Sequence, residues 1–164
     1  MVRIGFSTSK NNVISRIIRA VTKSRVSHVW LIIENAFLGK SMVMEATKGG
    51  FKLTSFSRFA ETHDIVEIIT PQEPLDEGVR VATDWLGGGY DYTGLIGAFF
   101  VQIGKWLKMK WRNPFDTTHA MFCSESVVFV LKAAKYPGSA DLVPSATSPQ
   151  DLLDFFTKEK RRAL

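Results

Sequence analysis

The sequence predicts a single α+β domain in which an antiparallel sheet packs against helices. Short apolar or β-branched runs, separated by Gly, Asn, Lys and Ser, fill the region between residues 27 and 70, as the strands of such a sheet do. Segments with apolar residues at helical spacing flank this region on both sides. A chain of 164 residues with 45% hydrophobic content can close one core, and no repeat or linker divides it. The domain is therefore expected to cover residues 1–164.

The first half of the chain is predicted to supply the sheet. Residues 2–7 form a short apolar run typical of a strand, and residues 12–22 carry one apolar stripe of Val and Ile at helical spacing. The runs that follow alternate with turn-forming residues, which is typical of consecutive antiparallel strands. They are predicted at residues 27–34, 42–46, 51–54 and 65–70.

The second half is predicted to be mostly helical. Residues 74–86 open with Pro and acidic residues and end at Gly87-Gly88-Gly89, which stops a helix. Residues 94–111 are apolar and then basic, which predicts a buried helix with a basic end or a helix that rests on lipid. Two more helices are predicted, at 124–135 and at 149–158, the last with Ser148 as its cap.

Composition restricts the function classes. One cysteine excludes an intrachain disulfide. The formal net charge of +5 suits an anionic membrane or cell-wall surface, but the basic residues are dispersed, so nucleic acid is not the expected partner. No charged stretch followed by a long apolar run opens the chain, and no apolar run is long enough to cross a bilayer. A cytoplasmic or phage-associated protein is expected.

Cys123 is the candidate nucleophile. It follows an apolar approach and precedes the predicted helix 124–135, where unpaired N–H groups and the positive end of the helix dipole would favour a thiolate. The same N–H groups could hold a developing oxyanion. A cysteine that merely packs in the core is the commoner case when no other residue supports a role.

His28 and Glu45 are polar residues set into apolar strands. Glu45 on a neighbouring strand could accept a ring N–H of His28 and so fix the orientation of the imidazole. Each residue alone has a structural explanation, but with Cys123 they make a nucleophile, a base and an orienting group. The competing histidines are His63, interpreted as an exposed turn, and His119. His119 precedes Cys123 by four residues, so a metal pair of these two is conceivable, but no second pair with ligand spacing exists. No metal site and no cofactor are therefore predicted.

Four motifs resemble a known family in content and in order. They are Ser27-His28-Val29, Met44-Glu45-Ala46 followed by Gly50-Phe51-Lys52-Leu53, Tyr90-Asp91-Tyr92-Thr93-Gly94-Leu95, and Phe122-Cys123-Ser124-Glu125-Ser126-Val127. The chain is similar, over most of its length, to the circularly permuted NlpC/P60 papain-like cysteine hydrolases of the YiiX/YebB type.

The resemblance implies a permuted papain-like fold in which the histidine strand precedes the cysteine helix. It implies Cys123 as nucleophile, His28 as base and Glu45 as the orienting residue, with Tyr90 and Tyr92 near the substrate cleft. Where the family commonly has Leu after the Cys-Ser-Glu step, this chain has Ser126.

Two functions are consistent with these observations. The first is a thiol hydrolase that cleaves an amide or ester bond through an acyl-enzyme, with a peptidoglycan-type peptide or an acylated lipid as substrate. The acyltransferase signature Asn-Cys-Glu-His is not matched by Cys123-Ser124-Glu125-Ser126. The second is a non-catalytic module of the same fold that binds an anionic membrane or polymer surface through Lys105, Trp106, Lys108, Lys110 and Trp111.

Overall fold

The computed structural model describes residues 1–10, 19, 24–35, 39–47, 50–87 and 118–162. The predicted helix at 12–22, apart from residue 19, and the whole predicted segment at 94–111 lie outside them. The elements of the described part, in chain order, are β1 (Val2–Ser9), β2 (His28–Asn35), β3 (Lys40–Thr47), β4 (Gly50–Ser55), α1 (Phe56–Thr62), β5 (His63–Ile69), α2 (Asp76–Thr83), α3 (Thr118–Ala133) and α4 (Pro149–Arg162).

The five strands form one antiparallel sheet in the order β4-β3-β2-β1-β5. The first strand of the chain is therefore an inner strand, paired with β2 on one side and with β5 on the other. Its register places Ser7 opposite His28 of β2 and Ser9 opposite His63 of β5. The starts of β2 and β5 consequently meet at the same end of the sheet.

The α+β class and the predicted strands are confirmed in this structure, with bounds that differ by a few residues. Helix α1 was missed, because seven residues are too few for a helical period to stand out. It carries Phe59 into the core, and Lys10 supports its C-terminal end by donating from Nζ to the carbonyls of Ala60 and Glu61 at 2.8 and 3.2 Å.

The sheet separates two clusters of buried side chains. The larger one fills the space between the sheet and helices α3 and α4, and it contains Cys123. The smaller one lies under α1 and consists of Trp30, Ile32, Val43 and Phe59. Successive residues of β2 point to opposite faces, so this strand contributes to both clusters.

Helices α2 and α3 approach each other closely at Gly78. A Cβ atom at this position would lie 2.1 Å from the carbonyl oxygen of Val130, which is far inside contact distance. Gly78 is buried and lies in the first turn of α2, a helix of Asp76–Thr83. Glycine is therefore required here by backbone contact between helices.

The helix that carries Cys123 begins earlier than predicted. It was expected to start at residue 124, but α3 spans Thr118–Ala133, so Cys123 lies in its second turn. In an α-helix the N–H of a residue in the second turn bonds to the carbonyl four residues earlier, so the N–H of Cys123 is not left unpaired by a helix start. The stabilisation of a negative charge by the helix dipole is confined to the first turn. The prediction that a free helix start activates Cys123 and supplies its oxyanion donors is wrong.

Helix α4 begins as predicted. Ser148 Oγ accepts from the N–H of Asp151 at 3.2 Å, and the Asp151 carboxylate accepts from the N–H of Ser148 at 2.8 Å, which is a reciprocal capping arrangement. None of the helices in the described ranges combines the length and the apolar character needed to span a bilayer.

Candidate functional site

His28 and Glu45 face each other from adjacent strands. The β2 to β3 register pairs Leu31 with Met44, and continuing it by one pair brings Glu45 beside Trp30, two residues from His28 on the same face. The Nε2 atom of His28 lies 2.7 Å from Oε2 of Glu45. The predicted contact between these two side chains is therefore present in the structure.

Glu45 is a buried carboxylate that contacts two basic side chains. Its side chain is 3% exposed, and its second oxygen lies 3.3 Å from Nζ of Lys52 on β4. Burial would raise the pKa of Glu45, but the hydrogen bond and charge of His28, with those of Lys52, outweigh it and lower the pKa. The carboxylate is thus available to hold one nitrogen of the imidazole.

Cys123 is hydrogen-bonded to His28. Burial alone would lower the pKa of His28, but the charge and hydrogen bond of Cys123, followed by those of Glu45, raise it to about 9. Because Nε2 of His28 bonds to Glu45, the other ring nitrogen, Nδ1, is left for the sulfur. The three side chains form a continuous chain from thiol to imidazole to carboxylate.

The sulfur lies inside the protein. Cys123 has no exposed surface, whereas the His28 side chain is 12% exposed. The cysteine packs in the larger cluster, while His28 stands over Phe59 of the smaller one, with ring centroids 6.2 Å apart. The site therefore lies at the start of β2, where the two clusters meet.

His63 joins this site, contrary to the interpretation of that residue as an exposed turn. It begins β5, is half-buried, and stacks on Phe59 with ring centroids 4.1 Å apart and planes 2° apart. Its ring centroid lies 5.5 Å from that of His28. The sequence signal was the apolar run that follows it, but only the pairing of both histidine strands with β1 brings the rings together.

His63 is kept neutral by its surroundings. Burial and the charge of His28 lower its pKa, and a hydrogen bond to the Phe59 carbonyl opposes them in part. Nδ1 of His63 lies 3.2 Å from the Phe59 carbonyl oxygen and 3.0 Å from Oγ1 of Thr62. A carbonyl can only accept, and the Thr62 hydroxyl donates its own hydrogen to that carbonyl, so Nδ1 is the donor in both contacts. The neutral ring therefore presents Nε2 as an acceptor.

Glu125 is a second buried acid near Cys123, two residues along α3. It is 1% exposed, and neither carboxylate oxygen has a hydrogen-bond partner in the described part of the chain. Burial raises its pKa to about 7. One turn away from Cys123, Ser126 donates from Oγ to the Cys123 carbonyl at 2.8 Å, a hydrogen bond within α3.

Several predicted residues lie outside the described ranges. Tyr90 and Tyr92 are among them, as are the five residues of the predicted anionic-surface site, Lys105, Trp106, Lys108, Lys110 and Trp111. His119 belongs to α3, but its side chain is not described. Their predicted roles stay predictions.

The assembled groups allow two kinds of chemistry. A thiol within hydrogen-bond reach of an imidazole, itself bonded to a carboxylate, has the parts needed for nucleophilic catalysis. One carboxylate and two imidazoles side by side are also ligands that transition metals accept. Compared with models of known protein families, and with curated protein sequences, the chain finds no match in either.

Proposed function

We propose that this protein is a cysteine hydrolase with a circularly permuted papain-like fold, cleaving an amide or ester bond through an acyl-enzyme. The observation that carries the proposal is the chain of contacts from Cys123 to His28 to Glu45. These residues come from α3, β2 and β3, three elements far apart along the sequence. Their order, histidine strand before cysteine helix, is the one that the family resemblance implies.

In the first half-reaction the Cys123 thiolate attacks the substrate carbonyl carbon. A carbon–sulfur bond forms, and the carbonyl electron pair moves onto oxygen. When the tetrahedral intermediate collapses, the His28 imidazolium gives its proton to the departing amine or alcohol. A thioester of Cys123 and neutral His28 remain.

In the second half-reaction His28 acts as the base. It takes a proton from water as the water oxygen attacks the thioester carbonyl, and collapse releases the acid and the Cys123 thiolate. Glu45 holds Nε2 of His28 throughout, which keeps Nδ1 directed at the sulfur and stabilises the imidazolium.

The proposed substrate is a peptidoglycan-type peptide or an acylated lipid, and the proposed setting is cytoplasmic or phage-associated. Since Cys123 is fully buried, the substrate carbonyl reaches the sulfur only after a local displacement of the surrounding chain. Extended or flexible substrates meet this requirement more easily than compact ones do.

Alkylation of the one cysteine by iodoacetamide tests the proposal. Because thiolate is the reactive form, we expect wild-type protein to react at least about tenfold faster than His28→Ala near neutral pH. The alkylation rate of Glu45→Gln should lie between those of the wild type and His28→Ala, because this variant keeps the imidazole but loses the carboxylate that orients it.

His28→Ala removes side-chain volume beside the sulfur and can only ease access to it, so a slower reaction of this variant reports on the loss of the imidazole and not on access. Arg80→Ala, on the exposed side of α2, is the control and should react like the wild type. Equal rates for wild type and His28→Ala would remove the proposal. As a second test of the proposal, mass spectrometry of wild-type protein incubated with thioester and peptide substrates should detect acylation at Cys123.

A further inference from the structure

The His28 site contains a second constellation, which shares His28 and Glu45 with the proposed hydrolysis and adds His63, a residue that the hydrolysis does not use. One potential ligand atom from each of His28, Glu45 and His63 lies within 4.8 Å of the other two. We propose that these three side chains form a binding site for a borderline-soft divalent cation such as Zn²⁺, and that the bound cation blocks Cys123 chemistry.

The donor set fits this class of cation. Two imidazole nitrogens and one carboxylate oxygen are ligands of zinc at about 2.0–2.2 Å, with a fourth position open to water or another group. Tetrahedral geometry at these lengths separates ligand atoms by about 3.4 Å. Atoms that already lie within 4.8 Å of one another need only small side-chain rotations to reach it.

His63 is prepared for this role by its hydrogen bonds. Nδ1 donates to the Phe59 carbonyl, so Nε2 carries the lone pair that a cation needs. A ligating histidine in proteins commonly donates its other nitrogen to a carbonyl or carboxylate in this way. The stack on Phe59, with planes 2° apart, holds the ring in place.

Lys52 opposes binding, since its Nζ lies 3.3 Å from Oε1 of Glu45. The Lys52 side chain is 52% exposed, so it can turn into solvent when a cation arrives. Its positive charge should therefore weaken the site without excluding the cation, and removing that charge should strengthen binding about two- to tenfold.

Occupation of the site would change His28. The cation binds Nε2 in place of the contact with Glu45, and the proton of the imidazolium passes to solvent. The ring that remains is neutral and keeps its hydrogen on Nδ1, so it can no longer take a proton from the thiol or from water, and His28 is lost as the base of the proposed reaction. Cation binding itself does not depend on the proposed hydrolase activity, but the loss of Cys123 chemistry rests on it.

Calorimetric titration of metal-free, full-length protein with Zn²⁺ tests the site. We expect a single equivalent to bind, with affinity reduced at least about tenfold in His63→Phe and in Glu45→Gln. The phenylalanine keeps a ring stacked on Phe59 and removes both nitrogens. Lys52→Met should bind more tightly than wild type, and Glu67→Gln, on β5 but outside the cluster, should bind equally well.

The outcomes separate the two proposals. Failure of wild type to bind Zn²⁺, or unchanged binding in both His63→Phe and Glu45→Gln, overturns the cation site. His63→Gln replaces His63→Phe if circular dichroism shows that the latter is unfolded. The alkylation rate without metal reports on the hydrolase proposal alone, whereas its suppression by Zn²⁺ in wild type, but not in His63→Phe, supports the inhibitory role.

Discussion

Glu125 is a buried carboxyl group to which the described residues offer no hydrogen bond. Its pKa is raised by burial to about 7, so in the folded protein it holds a proton that the unfolded chain loses near pH 4.5. The stability that this difference contributes is complete below about pH 4.5 and is lost as the pH rises through about 7.

Glu125→Gln should therefore stabilise the protein in alkaline solution. Glutamine resembles the protonated acid but cannot ionise, so the two proteins should have equal unfolding free energies near about pH 4. Near about pH 8 the variant should be more stable by roughly 3 kcal/mol. Urea unfolding at both pH values measures the difference, and equal stability at the higher pH would contradict the prediction.

His28 should titrate far above an ordinary histidine. Cys123 and Glu45 together outweigh burial and raise its pKa to about 9. Removing the Glu45 charge by Glu45→Gln should lower that pKa by about one unit or more. Proton NMR of the histidine ring resonances, followed against pH, measures this. His63, whose pKa is lowered in the same site, serves as the internal comparison.

At the scale of elements, the contact between α2 and α3 depends on Gly78. Gly78→Ala would place a methyl group 2.1 Å from the Val130 carbonyl oxygen, so the helices must separate. We expect a loss of about 1–3 kcal/mol in the free energy of unfolding, because overpacking outweighs the gain in helix propensity. Arg80→Ala, on the exposed part of α2, should leave stability nearly unchanged, because solvent screens its ion pair with Glu77. A more stable Gly78→Ala in chemical denaturation would show that the helices adjust freely.

The start of α4 depends on its cap. Ser148→Ala removes the hydroxyl that accepts from the N–H of Asp151 and donates to the Asp151 carboxylate. The expected cost is about 1 kcal/mol, seen as a lower midpoint of thermal unfolding. Ser148→Thr should restore most of the loss, because threonine keeps the hydroxyl that bonds to Asp151. An unchanged midpoint in Ser148→Ala would indicate that the cap contributes nothing.

At the scale of the whole molecule, two buried groups both make the protein less stable as the pH rises. The stability from Glu125 is lost between about pH 4.5 and 7, and that from His28, whose pKa rises from 6.5 to about 9, is complete below 6.5 and lost as the pH passes 9. Glu45 acts oppositely, since its lowered pKa gives stability that disappears in acid.

The protein should consequently become less stable from weakly acidic to alkaline pH. Unfolding free energies measured at about pH 5, 7 and 9 should fall by a few kcal/mol in total. The double variant His28→Gln with Glu125→Gln should show a much flatter profile over the same range. A wild-type stability that rises towards pH 9 would contradict both assignments.

Much of the fold could be predicted because each buried face of a strand or helix requires a pattern of apolar residues in the local sequence. Apolar and β-branched runs at residues 27–34, 42–46, 51–54 and 65–70 predicted strands that the structure confirms, since each strand needs an apolar face. Helix α1 was not predicted because a helix of seven residues between two strands is too short to show the 3.6-residue spacing of apolar side chains. The start of α3 was misplaced because an apolar segment before Cys123 fits a helix as well as a strand.

For the candidate site, the sequence by itself determined which residues could take part: one cysteine, and His28 and Glu45 as polar residues in apolar strands. Only the tertiary structure decided that these groups touch, that His63 joins them, and that Glu125 is buried where the described residues offer it no hydrogen bond. The physical reason is that the spacing of apolar residues in the local sequence indicates which face of a strand or helix is buried. Distances between groups depend instead on strand order and helix docking, which are set by the packing of the whole chain.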